Sequence, residues 1–512
     1  MKFGWGWKVK RAMQKPSSSS PVGQNRPWTV PVILFASLVL RWILVLRGGQ
    51  YYFSDEGRYE TSRTLINLLL AGKFSSAFAQ LVTAPEHLGF KILGIIPSLL
   101  EQLTRESLVI PALFFSLFSV FTLYLIYKIA QRAGATERES LFALLFAACS
   151  MSLLYFSRHL VPYDTAMTFG LLAVFIALTE RPSPKTSLLC GASAFLCFIT
   201  YNGYWSLAGL GMLIHIFRNN SMAGEWVRKA SLAAVGFALP AILLFLLALL
   251  AGTNLLAEYR VFSTTVSQGS FEEGWSLPFE YFWRAEHWLF VAWIALSILA
   301  VAQAVKRRDN SSLLWAGCIA FLYACLVIPS VYLHSFVVYG RLARQMLPFL
   351  LLLSASGLGH LEQNFSFGGK LTRAVMLIVI LQAAWNYKAS FGLSYPRDFA
   401  WEAQTLQPDF HFSEKRLIFG APTLCQNNGF VIENVKRFEA PPEPTPVIEG
   451  KLLLSALHPD NFLPYQLEGY TPEQRQIFHE RQPEMRFYKA EDEFMSESNP
   501  VWTTMKNCVV KE

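Results

Sequence analysis

Apolar runs of a length suited to crossing a bilayer recur from residue 28 to about residue 385, separated by short polar stretches rich in lysine and arginine. A membrane-crossing helix needs about 20 mainly apolar residues, and the runs at 28–46, 108–127, 141–156, 165–178, 232–251, 288–305, 313–332, 346–358 and 374–385 are read that way. The run at 188–217 is interrupted by Asn202 and Gly203 and is basic at both ends, so it reads as two short crossings joined by an outer bend. That makes about eleven helices; a single kinked crossing at Asn202 would flip the parity. Loops carrying Lys and Arg tend to stay in the cytoplasm. The clusters at Lys2, Lys8, Lys10, Arg11 and Lys15, at Lys128, Arg132 and Arg138, at Arg181 and Lys185, and at Lys306, Arg307 and Arg308 therefore belong inside. The loop 47–107, the bend at Asn202 and everything after Lys388 then fall outside. The apolar stretch 86–103 cannot cross without moving the Lys128–Arg138 cluster outside, so it is expected to lie along the membrane surface.

Beyond Lys388 the pattern changes to short alternating runs at 416–419, 430–435 and 451–454 around a proline-rich break at 441–446. These predict strands in a small mixed domain. The expected organisation is a basic cytoplasmic N-terminus (1–27), an α-helical polytopic membrane body (28–387) and a mixed α/β outer, periplasmic domain (388–512). Residues 1–26 are basic, but Pro31 and Arg41 fit a cleaved leader poorly, and the first span is expected to be retained. Composition agrees: 53% of the 512 residues are hydrophobic and 16% charged, against about a quarter charged in soluble domains. The net charge of +8 is scattered in clusters between apolar runs, not laid out as a stripe, which excludes nucleic acid as the partner. Five cysteines sit in apolar stretches; Cys425 and Cys508 lie in polar sequence that an oxidising outer compartment would allow to pair.

The densest candidate chemistry follows the first span. Residues 51–63 read Tyr-Tyr-Phe-Ser-Asp-Glu-Gly-Arg-Tyr-Glu-Thr-Ser-Arg, and the adjacent acids Asp55 and Glu56 open a segment whose Leu65, Ile66, Leu69 and Leu70 share one helical face. Taken alone, Ser54 or Asp55 capping a helix and Glu56 complementing its dipole would account for the acids. The stretch nevertheless resembles the Asp-Glu-x-x-Tyr loop of the protein O-mannosyltransferase and lipid A aminoarabinose transferase superfamily, membrane glycosyltransferases of the GT-C class. Residues 83–91, Thr-Ala-Pro-Glu-His-Leu-Gly-Phe-Lys, resemble that superfamily's proline-containing lead-in to a second surface helix. Residues 104–111, with Arg105, are similar to its Arg-x-x-Pro start of the second span, and 155–164, with Arg158 and Asp164, to its second outer loop. The resemblance covers about the first 215 residues. It departs at Glu86 and His87, where mannosyltransferases more often carry His-Pro-Pro.

The resemblance implies transfer of a sugar from a polyprenyl-phosphate donor to a lipid, glycan or protein acceptor at the outer face of the inner membrane, with inversion. A lipid phosphate is already a good leaving group, so the reaction needs a base for the acceptor hydroxyl more than an acid. Asp55 is the candidate base, with Glu56 and Asp164 orienting it, the sugar or a divalent magnesium or manganese ion held by Asp55 and Asp164. Arg341 and Arg344, in 339–348, resemble the start of a late span that contacts lipid phosphate; snorkelling to headgroups explains them equally well. Arg105 and Arg158 are further phosphate candidates, a helix-end anchor and an ion pair with Asp164 being their simpler roles. Arg58, Tyr59, His87 and His159 are expected to bind substrate. No histidine shows a His-x-x-x-His spacing, so hydrogen-bonded interfacial histidines are expected over a zinc site. The aromatic-rich segment 252–286 reads as a lid or as an interfacial belt. A transporter of lipid-linked substrates would place its ionisable groups near the midplane, often within internal repeats, whereas here the acids collect at the outer edge; an inactive scaffold leaves the Asp-Glu loop without a purpose.

Overall fold

The computed structural model describes residues 28–46, 58–82, 85–104, 109–180, 182–218, 224–267, 275–307, 309–333, 340–364 and 367–388. The expected outer domain beyond Lys388, its cysteine pair, Asp55, Glu56 and Arg105 lie outside them. The described chain is helical throughout. The first helix, α1 (Thr29–Leu46), is followed by four short surface helices, α2 (Tyr59–Leu70), α3 (Phe74–Val82), α4 (Leu88–Leu93) and α5 (Ile95–Leu103). The stretch expected along the membrane surface is thus two helices broken at Gly94. Ile96, Leu99, Leu100 and Leu103 are exposed on it while Glu101 is buried against the protein, the pattern of a helix resting on lipid.

The bundle continues with α6 (Val109–Arg132), α7 (Glu137–Cys149), α8 (Met151–Leu154), α9 (Tyr163–Ala177), α10 (Pro184–Thr200), α11 (Trp205–Phe217) and α12 (Glu225–Leu250). It closes with α13 (Leu255–Ser267), α14 (Leu277–Glu286), α15 (Trp288–Arg307), α16 (Asn310–Val331), α17 (Gly340–Ala343), α18 (Leu347–Asn364) and α19 (Gly368–Tyr387). Among the described residues seven stretches are long and apolar enough to cross a membrane, or eight if α7 and its continuation 151–158, bent by 69°, form one span. The protein is a polytopic helical membrane protein. The other expected crossings fall on α9, α10 and α11, which are shorter than the length rule requires; α9 is largely buried, whereas α10 exposes Leu189 and Leu196 and α11 exposes Trp205, Leu213 and Phe217.

Local sequence explains where several helices start. Thr136 and Glu139 form a reciprocal capping box at α7, and Ser183 with Thr186 does the same for α10, whose first residue is Pro184. Between α10 and α11 the chain doubles back. Cys197 Sγ lies 3.7 Å from the Tyr204 carbonyl, Cys190 Sγ 3.7 Å from that of Gly211, and Ser187 Oγ 2.8 Å from His215 Nε2. This ladder runs the length of both helices, so the interruption at Asn202 is a hairpin turn and not a kink.

α10 and α12 approach backbone to backbone. A β-carbon at Gly191 would fall on the Ala233 carbonyl oxygen, and one at Gly236 on that of Leu188. Because backbone cannot step aside as a side chain can, Gly191→Leu is expected to cost well beyond the roughly 1–3 kcal/mol of ordinary overpacking. Size-exclusion chromatography in detergent should then show loss of monodisperse protein, while Gly209→Leu, which meets nothing within 4 Å, behaves as the parent.

Polar contacts sort the helix ends into two sets. At one end, Arg138 pairs with Glu362 at 2.6 Å, Arg132 donates to the Phe175 carbonyl at 2.7 Å and Arg218 to the Leu178 carbonyl at 2.6 Å. These belong to the loops expected in the cytoplasm. Near the other end, Arg41 of α1 is 1% exposed and donates Nε to Ser119 Oγ (2.9 Å), Nη1 to the Ser37 carbonyl (3.1 Å) and Nη2 to the Leu153 carbonyl (3.2 Å). Those bonds tie α1 to α6 and α8.

Candidate functional site

The far end of the bundle is built from three chain breaks. After the bend at Ser150, α8 tightens into a 3-10 turn, Tyr155–Arg158, before α9 restarts behind Pro162. The hairpin turn brings Asn202–Tyr204 alongside, and α17 with the 3-10 turn Arg344–Met346 leads into α18. Irregular backbone at this depth is tolerated where protein surrounds it. It presents polar side chains inward.

Asp164, in the first turn of α9 where a carboxylate suits the helix dipole, pairs through Oδ1 with Arg344 Nη2 at 2.5 Å. Arg344 is fully buried, and its guanidinium lies over Phe156, 4.6 Å from the ring centroid. Its Nε and Nη1, and Asp164 Oδ2, have no hydrogen-bond partner among the described residues. Arg341 Nη1 donates to the Tyr163 hydroxyl, and Tyr204 donates its own hydroxyl to the Arg341 carbonyl at 3.1 Å. Gln345 fixes this segment: its Oε1 accepts from Ser206 Oγ (2.9 Å) and the Leu207 amide (3.2 Å), and its Nε2 donates to the Gly203 carbonyl (3.2 Å). Arg158, also fully buried, donates Nε to His159 Nε2 at 3.0 Å. Burial and the adjacent Arg158 hold His159 far below the usual imidazole range, so this ring is neutral and accepts.

An aromatic path leads from here to the surface helices. Tyr163 meets Tyr201 with ring centroids 4.9 Å apart, and Tyr201 meets His87 at 5.1 Å. His87 takes a left-handed backbone (φ 57°) immediately before α4, a conformation uncommon outside glycine. One turn on, Lys91 is 1% exposed. Burial pushes its ammonium down to about 8, with Glu86 close enough to raise it and Arg58 to lower it further.

The residues marked out by the sequence therefore divide. Asp164, Arg158, His159, Arg341 and Arg344 meet in one buried cluster, with His87 joined to it through Tyr201. The ion pair expected between Arg158 and Asp164 is instead formed by Arg344. Tyr59 gives its hydroxyl to Glu101 Oε2 at 2.9 Å and accepts from Ser98 Oγ at 3.0 Å, while Arg63 grips the same carboxylate at 2.7 and 3.0 Å. Tyr59 thus locks α2 onto α5. Among the described residues no group of three His, Cys, Asp or Glu could hold a metal. Sequence reasoning missed Lys91, Tyr163, Tyr201 and Gln345. Lys91 and Tyr163 stand inside the quoted motifs, and a charged or amide side chain within an apolar run was the available signal for Lys91 and Gln345.

No family model and no curated sequence matches the chain. Among solved structures it is similar to ArnT from Cupriavidus metallidurans bound to undecaprenyl phosphate, with a TM-score of 0.52 and 15% identity over 81% of this chain and 73% of that one. The apo state of the same ArnT gives 0.48 and 14% over 80% and 71%. The oligosaccharyltransferase AglB from Archaeoglobus fulgidus, in complex with an inhibitory peptide and a dolichol-phosphate, gives 0.44 and 12% over 82% and 61%. At such identities the likeness is one of fold: the described helices share an arrangement with those of ArnT.

Proposed function

We propose that this protein is a glycosyltransferase that moves a sugar from a polyprenyl-phosphate donor to a lipid, glycan or protein acceptor at the outer face of the cytoplasmic membrane. The observation that carries the reading is the burial of three arginines, Arg158, Arg341 and Arg344, toward one end of the bundle, each 5% exposed or less. Unlike Arg41, whose guanidinium is met by neutral oxygens, such a cluster of buried guanidinium groups suits an anion. Asp164 pairs with one of them. The further anions the reading brings here are a lipid phosphate and the acid pair Asp55–Glu56, which follows α1 where that helix packs on the 155–158 turn. Arginine forks suit phosphate oxygens through paired N–H donors.

In this reading the arginines stabilise negative charge as it develops on the departing phosphate. Asp55 takes the proton of the acceptor hydroxyl. The acceptor oxygen bonds to the anomeric carbon from the face opposite the phosphate, the bond from that carbon to the phosphate oxygen breaks, and the configuration inverts. His159 holds Arg158 in place, and the Tyr163, Tyr201 and His87 rings offer apolar faces to a sugar. Magnesium or manganese would take Asp55 and Asp164 as ligands, against the positive charge of the adjacent arginines. The N-terminus is proposed to be cytoplasmic and the chain after Lys388 to lie outside.

The test is purified protein in detergent with a short-chain polyprenyl-phosphate sugar and a lipid acceptor, followed by mass spectrometry. Release of polyprenyl phosphate with gain of one sugar on the acceptor is expected. Movement of intact donor across sealed vesicles with no product formed would overturn the reading in favour of transport.

Lys91 supplies a pH signature. Its ammonium is charged at pH 7 and loses its proton as pH rises through about 8. If it helps hold the phosphate, donor KM should rise between pH 7 and 9, and Lys91→Met should remove that rise. Stability moves the other way. Because the folded pKa lies below the unfolded value near 10.5, burying the charged form opposes folding below about pH 8, and the penalty fades as pH climbs toward the unfolded value. A thermal midpoint that rises across the interval in which donor affinity falls would separate the two effects.

A further inference from the structure

Glu286 closes α14 and is fully buried, yet no cation pairs with it among the described residues. Its carboxylate is spent on the bend between α7 and α8. Oε1 accepts from Ser150 Oγ at 2.6 Å and from the Ser152 amide at 2.7 Å, and Oε2 accepts from the Met151 amide at 3.0 Å. The Glu286 carbonyl in turn accepts from Asn386 Nδ2 of α19 at 2.9 Å. A carboxylate in this setting satisfies amides that the 69° bend would otherwise strand. Residues 150–158 are therefore held from two sides, by Glu286 on one and by Arg41 and Ser119, both on the Leu153 carbonyl, on the other.

The helix that carries Glu286 reaches the second half of the site as well. α14 packs on both α8 and α17, and its Tyr281 is buried close enough to Arg344 to act on it electrostatically. One short helix thus touches the segment bearing Arg158 and the segment bearing Arg341 and Arg344, though 122 residues lie between α8 and α14 in the chain, so no local sequence holds these parts together.

We propose that Glu286 is the positioning residue of the outer site: through α14 it fixes the 150–158 break so that Arg158 and the Arg344–Asp164 pair stand in register for a lipid phosphate. The proposal deepens the glycosyltransferase reading and rests on it. Glu286 touches no reacting atom. Its effect is exerted through Ser150, Met151 and Ser152, and it explains why a buried carboxylate without a cationic partner is kept despite burial raising its pKa above the usual carboxylate range.

The test is Glu286→Gln in the full chain. Glutamine keeps one accepting oxygen and turns an N–H₂ group toward amides that need an acceptor, so the clamp is spoiled at nearly constant volume. Expected are a monodisperse protein, faster hydrogen exchange of peptides covering 150–164, and at least a tenfold loss of transfer carried by a raised donor KM. Ser150→Ala, which removes one of the bonds, should show smaller changes in the same directions, and it decides the matter if Glu286→Gln fails to fold. Unchanged exchange over 150–164 would overturn the clamp. Faster exchange with unaltered donor KM and kcat would overturn the positioning role and leave Glu286 a structural cap. A parent protein that transfers no sugar would sink the glycosyltransferase reading by itself, while the exchange measurement would still report on the clamp.

Discussion

Asp55→Asn is expected to lower transfer by about 10²–10⁴-fold, the usual contribution of a positioned general base, with little change in donor KM. The amide has the shape of the carboxylate and can still accept a hydrogen bond, but it cannot take the acceptor's proton. The leaving phosphate needs no acid, so one base carries the proton chemistry and its loss is not shared with a second carboxylate, as it is in glycosidases. The described helices on either side of the acid pair in sequence are both fixed. α1 is pinned upstream by Arg41, and α2 is pinned downstream by Tyr59 and Arg63 on Glu101. Single-turnover assays with labelled donor separate the chemical step from binding. Near-parental turnover of a homogeneous Asp55→Asn preparation would remove Asp55 from the mechanism, and Glu56→Gln would be the next variant to assay.

The second large effect concerns Asp164 and Arg344. Removing either partner of a buried ion pair leaves the other charge uncompensated, at roughly 3–5 kcal/mol. Arg344 is fully buried and Asp164 nearly so, so Asp164→Ala and Arg344→Ala should each lower the thermal unfolding midpoint in detergent substantially. Apolar replacement of both partners at similar volume is often neutral. The double variant Asp164→Leu with Arg344→Met should therefore recover much of the stability while remaining inactive. Recovery of folding without recovery of transfer marks a site kept at a cost to the fold. A double variant less stable than either single one would mean that the pair is tied into a wider network and cannot be exchanged as a unit.

The helices were legible because a bilayer demands apolar length, and that demand is written locally. The hairpin at Asn202 was legible for the same reason, since basic residues at both ends of 188–217 require an even number of passages. The length rule lost its hold on α9, which is covered by other helices and need not match the thickness of lipid, and on α10 and α11, whose turn at Asn202 shortens both. Asp164, Arg158, Arg341 and Arg344 were marked by a polar position at the edge of an apolar run, but their pairing was not. Asp164 meets Arg344 across 180 residues, Gln345 meets Ser206 across 139, and Glu286 meets Ser150 across 136. No periodicity within one helix encodes a partner in another. Tyr59 shows the converse: its place in a motif suggested substrate, while its surroundings give it Glu101.

Arg41 carries a consequence for how the protein is made. An arginine within a membrane helix costs about 2.5–3.5 kcal/mol at the helix centre on the insertion scale, and α1 is made before α6 and α8. Its guanidinium acquires Ser119 only 78 residues later in the chain and the Leu153 carbonyl 112 residues later. Until then the helix must keep that side chain at an interface or beside the insertion machinery. The position of α1 in lipid is accordingly settled by the arrival of α6 and α8, and biogenesis of the bundle runs backward at this point, an earlier helix being seated among later ones.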